Sequence, residues 1–233
     1  MEGALNYLDC VYREVEESPD KFVIALKAED MWRARREGKI PILLGLEGGE
    51  PVGRNLANLR CYYRLGLRLL QLTWNQRNLL CDGIAEPDGG GLSNLGVEVV
   101  EEMNRLGMII DISHISEKGF QDVLEVSKDP VIVSHTAARA VHYHKRNLTD
   151  EQIQMVAEKD GMVGIAFYPH FIKKENPTLE DVLKHIDHCV NLVGSEHVGL
   201  GPDFIDYCVD RILAQLERAK LKDYAQPYKY PLG

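Results

Sequence analysis

The stretch GMIIDISHISEKGFQDVLEVSKDPVIVSHT, residues 107–136, decides the fold. Two short apolar runs in it, MIID and VIVS, each run into a polar tip that carries a histidine, His114 and His135. Between them Phe120, Val123, Leu124 and Val126 fall on one face of a helix. Strand, helix, strand is a βαβ unit, and a connection of this length implies parallel strands. Parallel strands end on the same side, so both imidazoles are expected at the carboxyl edge of one sheet, where α/β folds build their sites. Two neutral imidazoles on adjacent strands can share a transition metal. On this stretch alone, two strand-end histidines with structural hydrogen bonds are an equally good account.

The same alternation extends in both directions. Helices are expected over 4–17, with Leu5, Leu8, Val11, Tyr12 and Val15 on one face, and over 28–39, 55–66, 91–107, 149–159 (begun by Thr149 and Asp150), 178–194 and 209–221. Strands are expected in KFVIAL (21–26), PILLGLE (41–47), LRLLQLT (67–73), MIIDISH (108–114), VIVSH (131–135), MVGIAF (162–167) and HVGLGPD (197–203). The tail YAQPYKYPLG reads as loop. No shift in composition marks a boundary, so residues 1–233 are expected to form a single domain. A doubly wound open sheet is the competing architecture, but no GxGxxG follows the first strand and the strand ends are polar. The expected fold is therefore α/β, a TIM-like (β/α)8 barrel that lacks its first strand.

Composition bounds the function. The 233 residues are 45% hydrophobic and 27% charged, as in an ordinary globular protein. A net charge of −9 argues against nucleic-acid or anionic-membrane partners. Five cysteines, at 10, 61, 81, 189 and 208, are odd in number and contain no CxxC pair. They read as reduced, mostly buried thiols of a cytoplasmic protein. No run reaches the ~18 apolar residues of a membrane span, and no signal-peptide pattern opens the sequence.

Taking only the carboxyl tips of the strands gives Glu47, Trp74 with Asn75, His114, His135, Tyr168 and Asp203. In a barrel these converge on one mouth. Glu, His, His and Asp together are a metal-hydrolase set, in which imidazoles and a carboxylate bind the ion and a further carboxylate moves protons. Each has a plainer role available: Glu47 could cap a helix, Asp203 could bond a loop amide, and the histidines could be buried hydrogen-bonders.

LLGLEGGEP, RLGLRLLQLTWN, LSNLGVEVVEEMNRLGMIIDISHIS, PVIVSHTAARAV with HKRNLTDEQI, GIAFYPHFI and HVGLGPDF occur in this order. Together they resemble the membrane (renal) dipeptidase family of metallopeptidases, peptidase family M19, from about Asn6 onward. The resemblance implies a (β/α)8 barrel of the metal-dependent hydrolase type that cleaves dipeptides, often with a D-residue at the carboxyl side. It implies a two-zinc centre with a hydroxide held between the ions as nucleophile. By the same resemblance Glu47 is the glutamate bridging both zincs, and His114 and His135 are the histidines of the second zinc. Arg146 then grips the terminal carboxylate of the dipeptide, and Asp203 is the catalytic aspartate that carries the proton to the leaving amine. Family members are commonly dimers, so a homodimer is expected.

Two departures qualify these expectations. Vertebrate members have a substrate-binding histidine where this sequence has Trp74, which cannot accept a hydrogen bond. The family's first strand ends in a His-x-Asp pair that holds the first zinc, and no predicted strand here ends in such a pair. His185 and His188 fall on a helix and are expected at its surface or behind the site, and His142 and His144 are weak ligand candidates. The end YPLG stops where the family continues into its last helix. The expectation is thus an internal portion of a dipeptidase, without the first strand and last helix, with one retained zinc site and weak or no activity by itself. Its open sheet edges should lower stability, promote aggregation or recruit another chain. A catalytically dead barrel serving as a binding module, or a different amidohydrolase-type reaction, are the alternatives.

Overall fold

The computed structural model describes residues 2–204. The expected helix over 209–221, the tail and Cys208 lie outside the described residues. The chain forms two compact units, Met1–Pro202 and Asp203–Gly233. Every helix and strand given below belongs to the first.

That unit alternates helices and strands throughout. The strands are β1 (Phe22–Ile24), β2 (Ile40–Ile42), β3 (Leu44–Glu47), β4 (Leu67–Gln71), β5 (Ile109–Asp111), β6 (Val131–Thr136), β7 (Met162–Ile165) and β8 (Val198–Leu200). The helices are α1 (Glu2–Glu17), α2 (Ala28–Arg36), α3 (Leu56–Arg64), α4 (Asn94–Leu106), α5 (Glu117–Val126), α6 (Asp150–Glu158), the single turn α7 (Pro169–Ile172) and α8 (Leu179–Val193). All strand pairs are parallel. β1 pairs with β2, and a six-stranded sheet runs in the order β3-β4-β5-β6-β7-β8. This is the chain-order parallel α/β arrangement expected of a barrel wall. Among the described residues the wall is open: the six-stranded sheet ends at β3 and β8, and β1 and β2 form a separate parallel pair.

The expected strand at 41–47 is in fact two, because its halves serve different neighbours. Ile40–Ile42 pairs with β1, whereas Leu44–Glu47 pairs with β4 across a register shift between Leu44 and Gly45. Leu43 alone separates them.

The sheet is buried on both faces, as parallel sheets are. Leu70, Ile110, Val131, Val163 and Ile165 are fully buried, and so are Val99, Val100 and Met103 of α4, Val123 of α5 and Ile153 and Val156 of α6. Phe120 and Leu124 of the opening stretch are buried and Val126 packs against them, as the helical spacing predicts. Helix boundaries follow their caps. Ser93, Ser116, Thr149 and Thr178 each accept a backbone N–H of the first turn, and Gly107 ends α4 in the left-handed conformation at φ 68. Two glycines let the strands close around the site. A β-carbon at Gly164 or Gly201 would overlap the Ser134 carbonyl oxygen, and at Gly201 it would also lie 3.2 Å from the His135 α-carbon.

The cysteines are less buried than expected. Cys81 and Cys189 are buried, but Cys10 and Cys61 are exposed because they lie on outer faces of α1 and α3. All four are free.

Candidate metal centre

Three elements bring three groups together. β3 ends at Glu47, and Gly48, at φ 101, turns the chain away there. His135 lies within β6. His114 follows β5 in a turn and has φ 64, a left-handed conformation that costs a non-glycine residue about 1–3 kcal/mol and needs surrounding structure to hold it. The 75–85 loop supplies that hold. Ile84 donates its N–H to the His114 carbonyl at 2.7 Å, and Asn75 Oδ1 meets His114 Nδ1 at 2.8 Å.

The result is a converging donor set. Glu47 Oε1 lies 3.2 Å from His114 Nε2 and 3.7 Å from His135 Nε2. The two Nε2 atoms are 2.7 Å apart. One ligand atom from each residue fits within 4.8 Å of the others. Both histidines are buried, whereas the Glu47 side chain is 48% exposed and faces the opening. The far ring nitrogens are already engaged, His114 with Asn75 and His135 Nδ1 with Ser134 Oγ at 2.8 Å. Burial holds the pKa of both imidazoles well below the usual range, with the Arg146 charge adding to it. For His135 the neighbouring His114 acts the same way and Glu47 opposes. Neutral rings whose Nε2 atoms converge beside a carboxylate are a donor set that a borderline-soft divalent ion such as zinc accepts, so the residues fit a metal.

Arg146 stands behind this set. It is 4% exposed, its Nη2 donates to the His135 carbonyl at 3.4 Å, and its guanidinium lies 5.3 Å from the centre of the Phe171 ring. Thr136 donates its hydroxyl to the Arg146 carbonyl at 2.9 Å, which ties the loop to β6. Trp74 is half-buried, with its ring 6.0 Å from that of His114. Tyr168 caps the α7 turn and packs on Phe171. Asp203 is the first residue of the second unit and has φ 60.

The remaining histidines have other employment. His185 is not at the surface but fully buried. It accepts the Ala138 N–H at Nδ1 and donates Nε2–H to the Ile172 carbonyl, each at 3.1 Å. It opens a literal His-x-Asp triplet, His185-Ile186-Asp187, but that triplet is inside α8. His188 pairs with Asp150 at 2.8 Å. His144 accepts the Arg146 N–H at 3.1 Å, and burial lowers its pKa to about 4.

Reading strand tips picked out Asn75 without its role as a partner of His114, and missed Asp111, Ser113 and Ser134, which hydrogen-bond around His135. Their signal was present as polar residues inside otherwise apolar buried strands, in DISH and VSH.

Comparison with known proteins gives the family. A family model described as "Membrane dipeptidase (Peptidase family M19)" matches residues 1–221. The chain is 39% identical over 208 residues to "Dipeptidase tcpJ" of Claviceps purpurea, covering 88% of this chain and 49% of that protein. It thus spans about half the length of the curated relatives it matches. Among solved structures, an amidohydrolase from Pseudomonas aeruginosa superposes with TM-score 0.85 at 30% identity, covering 89% of this chain and 64% of that one. A metallopeptidase from Rhodobacter sphaeroides, liganded with a phosphinate mimic of the dipeptide L-Ala-D-Ala, gives 0.77 at 32% identity, covering 100% of this chain and 68% of that one. A match along nearly the whole sequence, with two histidines and a glutamate meeting at the sheet's carboxyl edge, places the chain in the membrane dipeptidase family, peptidase family M19.

Proposed function

We propose that this chain carries one zinc site of a dipeptidase, with Glu47, His114 and His135 as its ligands. The reaction is hydrolysis of the peptide bond of dipeptides, including those with a C-terminal D-residue. The observation that carries this is the convergence of the three ligand atoms. Support for the substrate class comes from the dipeptide mimic held by the Rhodobacter sphaeroides relative. Zinc, when bound, polarises a carbonyl and lowers the pKa of water to near 7.

The protein groups divide the remaining tasks. Arg146 offers a planar fork of donors for the substrate's terminal carboxylate, a pairing that fixes orientation as well as charge. Asp203 takes a proton from the attacking water and delivers it to the amine nitrogen as the C–N bond breaks. Glu47 and the two imidazoles keep the ion at the carboxyl edge of β3, β5 and β6. Among the described residues no strand end offers a further His-x-Asp pair, so one metal per chain and weak or absent turnover by the chain alone are part of the proposal. A single barrel domain, a homodimer and a cytoplasmic location complete it, the last supported by four free thiols. No helix among the described residues is long and apolar enough to cross a membrane.

The test is metal content per purified chain, read beside hydrolysis of a panel of L,L- and L,D-dipeptides. About one zinc, lost in Glu47→Gln and His135→Ala, is expected. No bound zinc in the unaltered chain overturns the site; about two, with clear turnover, overturns the single-site proposal.

A further inference from the structure

We propose that Asp82 is a positioning residue for the metal centre: it latches the 81–92 loop against residues 114–116, and the latched loop holds His114 in the left-handed turn that aims its ring at Glu47 and His135. This rests on the metal-site proposal above.

His114 needs holding. At φ 64 a residue with a β-carbon is in a conformation that it leaves unless its neighbours oppose the change. The opposing groups come from one loop, closed at its base by pairing of Cys81 with Leu92. Ile84 donates its N–H to the His114 carbonyl at 2.7 Å, and Ser116 donates its N–H to the Asp82 carbonyl at 3.0 Å. The two bonds flank Gly83 and Ile115, which face each other as an antiparallel bridge. The bridge fixes the His114 carbonyl, while Asn75 Oδ1, 2.8 Å from Nδ1, fixes the ring. A β-carbon on Gly83 would lie 2.3 Å from the Asn75 carbonyl oxygen, so the loop rests directly on the backbone of that second support.

A single carboxylate keeps the loop in this register. Asp82 is 7% exposed. Its Oδ2 accepts the Gly90 N–H at 2.6 Å and an Arg77 Nη2–H at 2.9 Å, and its Oδ1 accepts the Arg77 Nε–H. Paired guanidinium donors on a carboxylate are among the strong hydrogen bonds of proteins and fix orientation as well as distance. The Gly90 carbonyl in turn accepts the Ser116 hydroxyl at 2.6 Å, and Ser116 Oγ accepts the Gly119 N–H at the start of α5. From the Asp82 carboxylate through Gly90 and Ser116 back to the Asp82 carbonyl, the bonds form a closed circuit beside His114.

Removing the carboxylate opens the circuit. In Asp82→Ala the Gly90 N–H loses its acceptor and the Arg77 guanidinium loses its counter-ion, so residues 82–84 part from residues 114–116. His114 then relaxes to negative φ, which swings its ring out of line with Glu47, now 3.2 Å away, and with His135, now 2.7 Å away. Asp82 thus acts on a ligand through backbone, where groups that support metal ligands more often act on the ring itself.

The experiment reads the conformation of His114 and the affinity of the site separately. In the metal-free chain with labelled histidine, a strong intraresidue amide-to-Hα Overhauser effect reports positive φ, because that conformation brings the two protons together. Zinc affinity is measured by chelator competition. The unaltered chain should show the strong effect at His114. Asp82→Ala should lose it and bind zinc about 10- to 100-fold more weakly. Gly83→Ala should do the same, since its β-carbon wedges the loop off Asn75. Thr178→Ala, which removes a cap from α8, should change neither reading, and so separates positioning from a general loss of stability. A strong Overhauser effect retained in Asp82→Ala, or zinc affinity there within about twofold of the unaltered chain, overturns the proposal. Should Asp82→Ala fail to fold, Arg77→Ala decides, because that side chain is 61% exposed. It should also weaken zinc binding, and affinity unchanged within about twofold overturns the proposal. A chain that shows the expected Overhauser pattern but binds no zinc would instead defeat the metal-site proposal and leave the latch standing.

Discussion

His144, in the loop before Arg146, and His185, inside α8, have surroundings that ask opposite things of them. His185 bridges two backbone groups in a dry interior, Ala138 N–H and Ile172 C=O. Replacing it with leucine strands both, at about 1–3 kcal/mol each. His185→Leu should therefore lower stability by about 2–6 kcal/mol in urea titrations and leave the metal stoichiometry unchanged. His144 is kept neutral by burial, with a pKa near 4 against an ordinary 6.5. The unfolded chain therefore takes up that proton first as pH falls. The stability contributed by neutral His144 is present above about 6.5, declines between there and about 4, and is level below. His144→Gln should flatten that part of the pH dependence, measured as urea midpoints at pH 7.5 and 4.5. Arg146→Glu should weaken dipeptide binding to the metal-loaded chain at least tenfold by calorimetry, because the substrate's carboxylate then meets a like charge. At this scale the sequence marked candidate residues better than it told how they are held. Glu47, His114 and His135 could be picked out because they end apolar runs. The burial of His185 could not, since helical spacing gives a side chain a face without naming the loop carbonyl that covers it.

Helices and strands were legible wherever local chemistry agrees with tertiary demand. Thr178 caps α8 while Asp181, three residues on, returns a bond to the Thr178 N–H, a pattern visible in TLED. Thr178→Ala removes the hydroxyl side of this exchange and should cost about 1 kcal/mol in a denaturant titration. Where one run of sequence serves two neighbours, pattern reading fails. PILLGLE is uninterruptedly apolar up to its glutamate, yet Leu43 divides it, because β1 lies beside one half and β4 beside the other. The division does not alter its end, so Glu47 still arrives at the carboxyl edge. Strands also stop earlier than their apolar runs. β5 ends at Asp111 although ISH continues, and the three residues gained let His114 take the left-handed turn that brings its ring to His135.

For the whole molecule, the proposed metal site, with ligands from β3, β6 and the turn after β5, would make a bound ion a cross-link within the sheet. If zinc binds only the folded chain, free zinc at about 100 times its Kd adds about 2.7 kcal/mol to stability. Chelation should therefore lower the thermal midpoint, and the shift should vanish in His135→Ala. The parallel sheet and its order could be read from the alternation of elements and the length of the crossovers. Which strands stand at the ends of the wall could not, because strand pairing is decided by neighbours far away in sequence. The same wall carries a mechanical consequence. β8 is its last described strand, and just beyond it Gly201 rests, bare, on the backbone of Ser134 and His135. With no side chain to yield between them, any sideways displacement of that border would be transmitted directly to the His135 backbone and its imidazole. Ion affinity at the proposed site would therefore also gauge how firmly the rim of the sheet is seated.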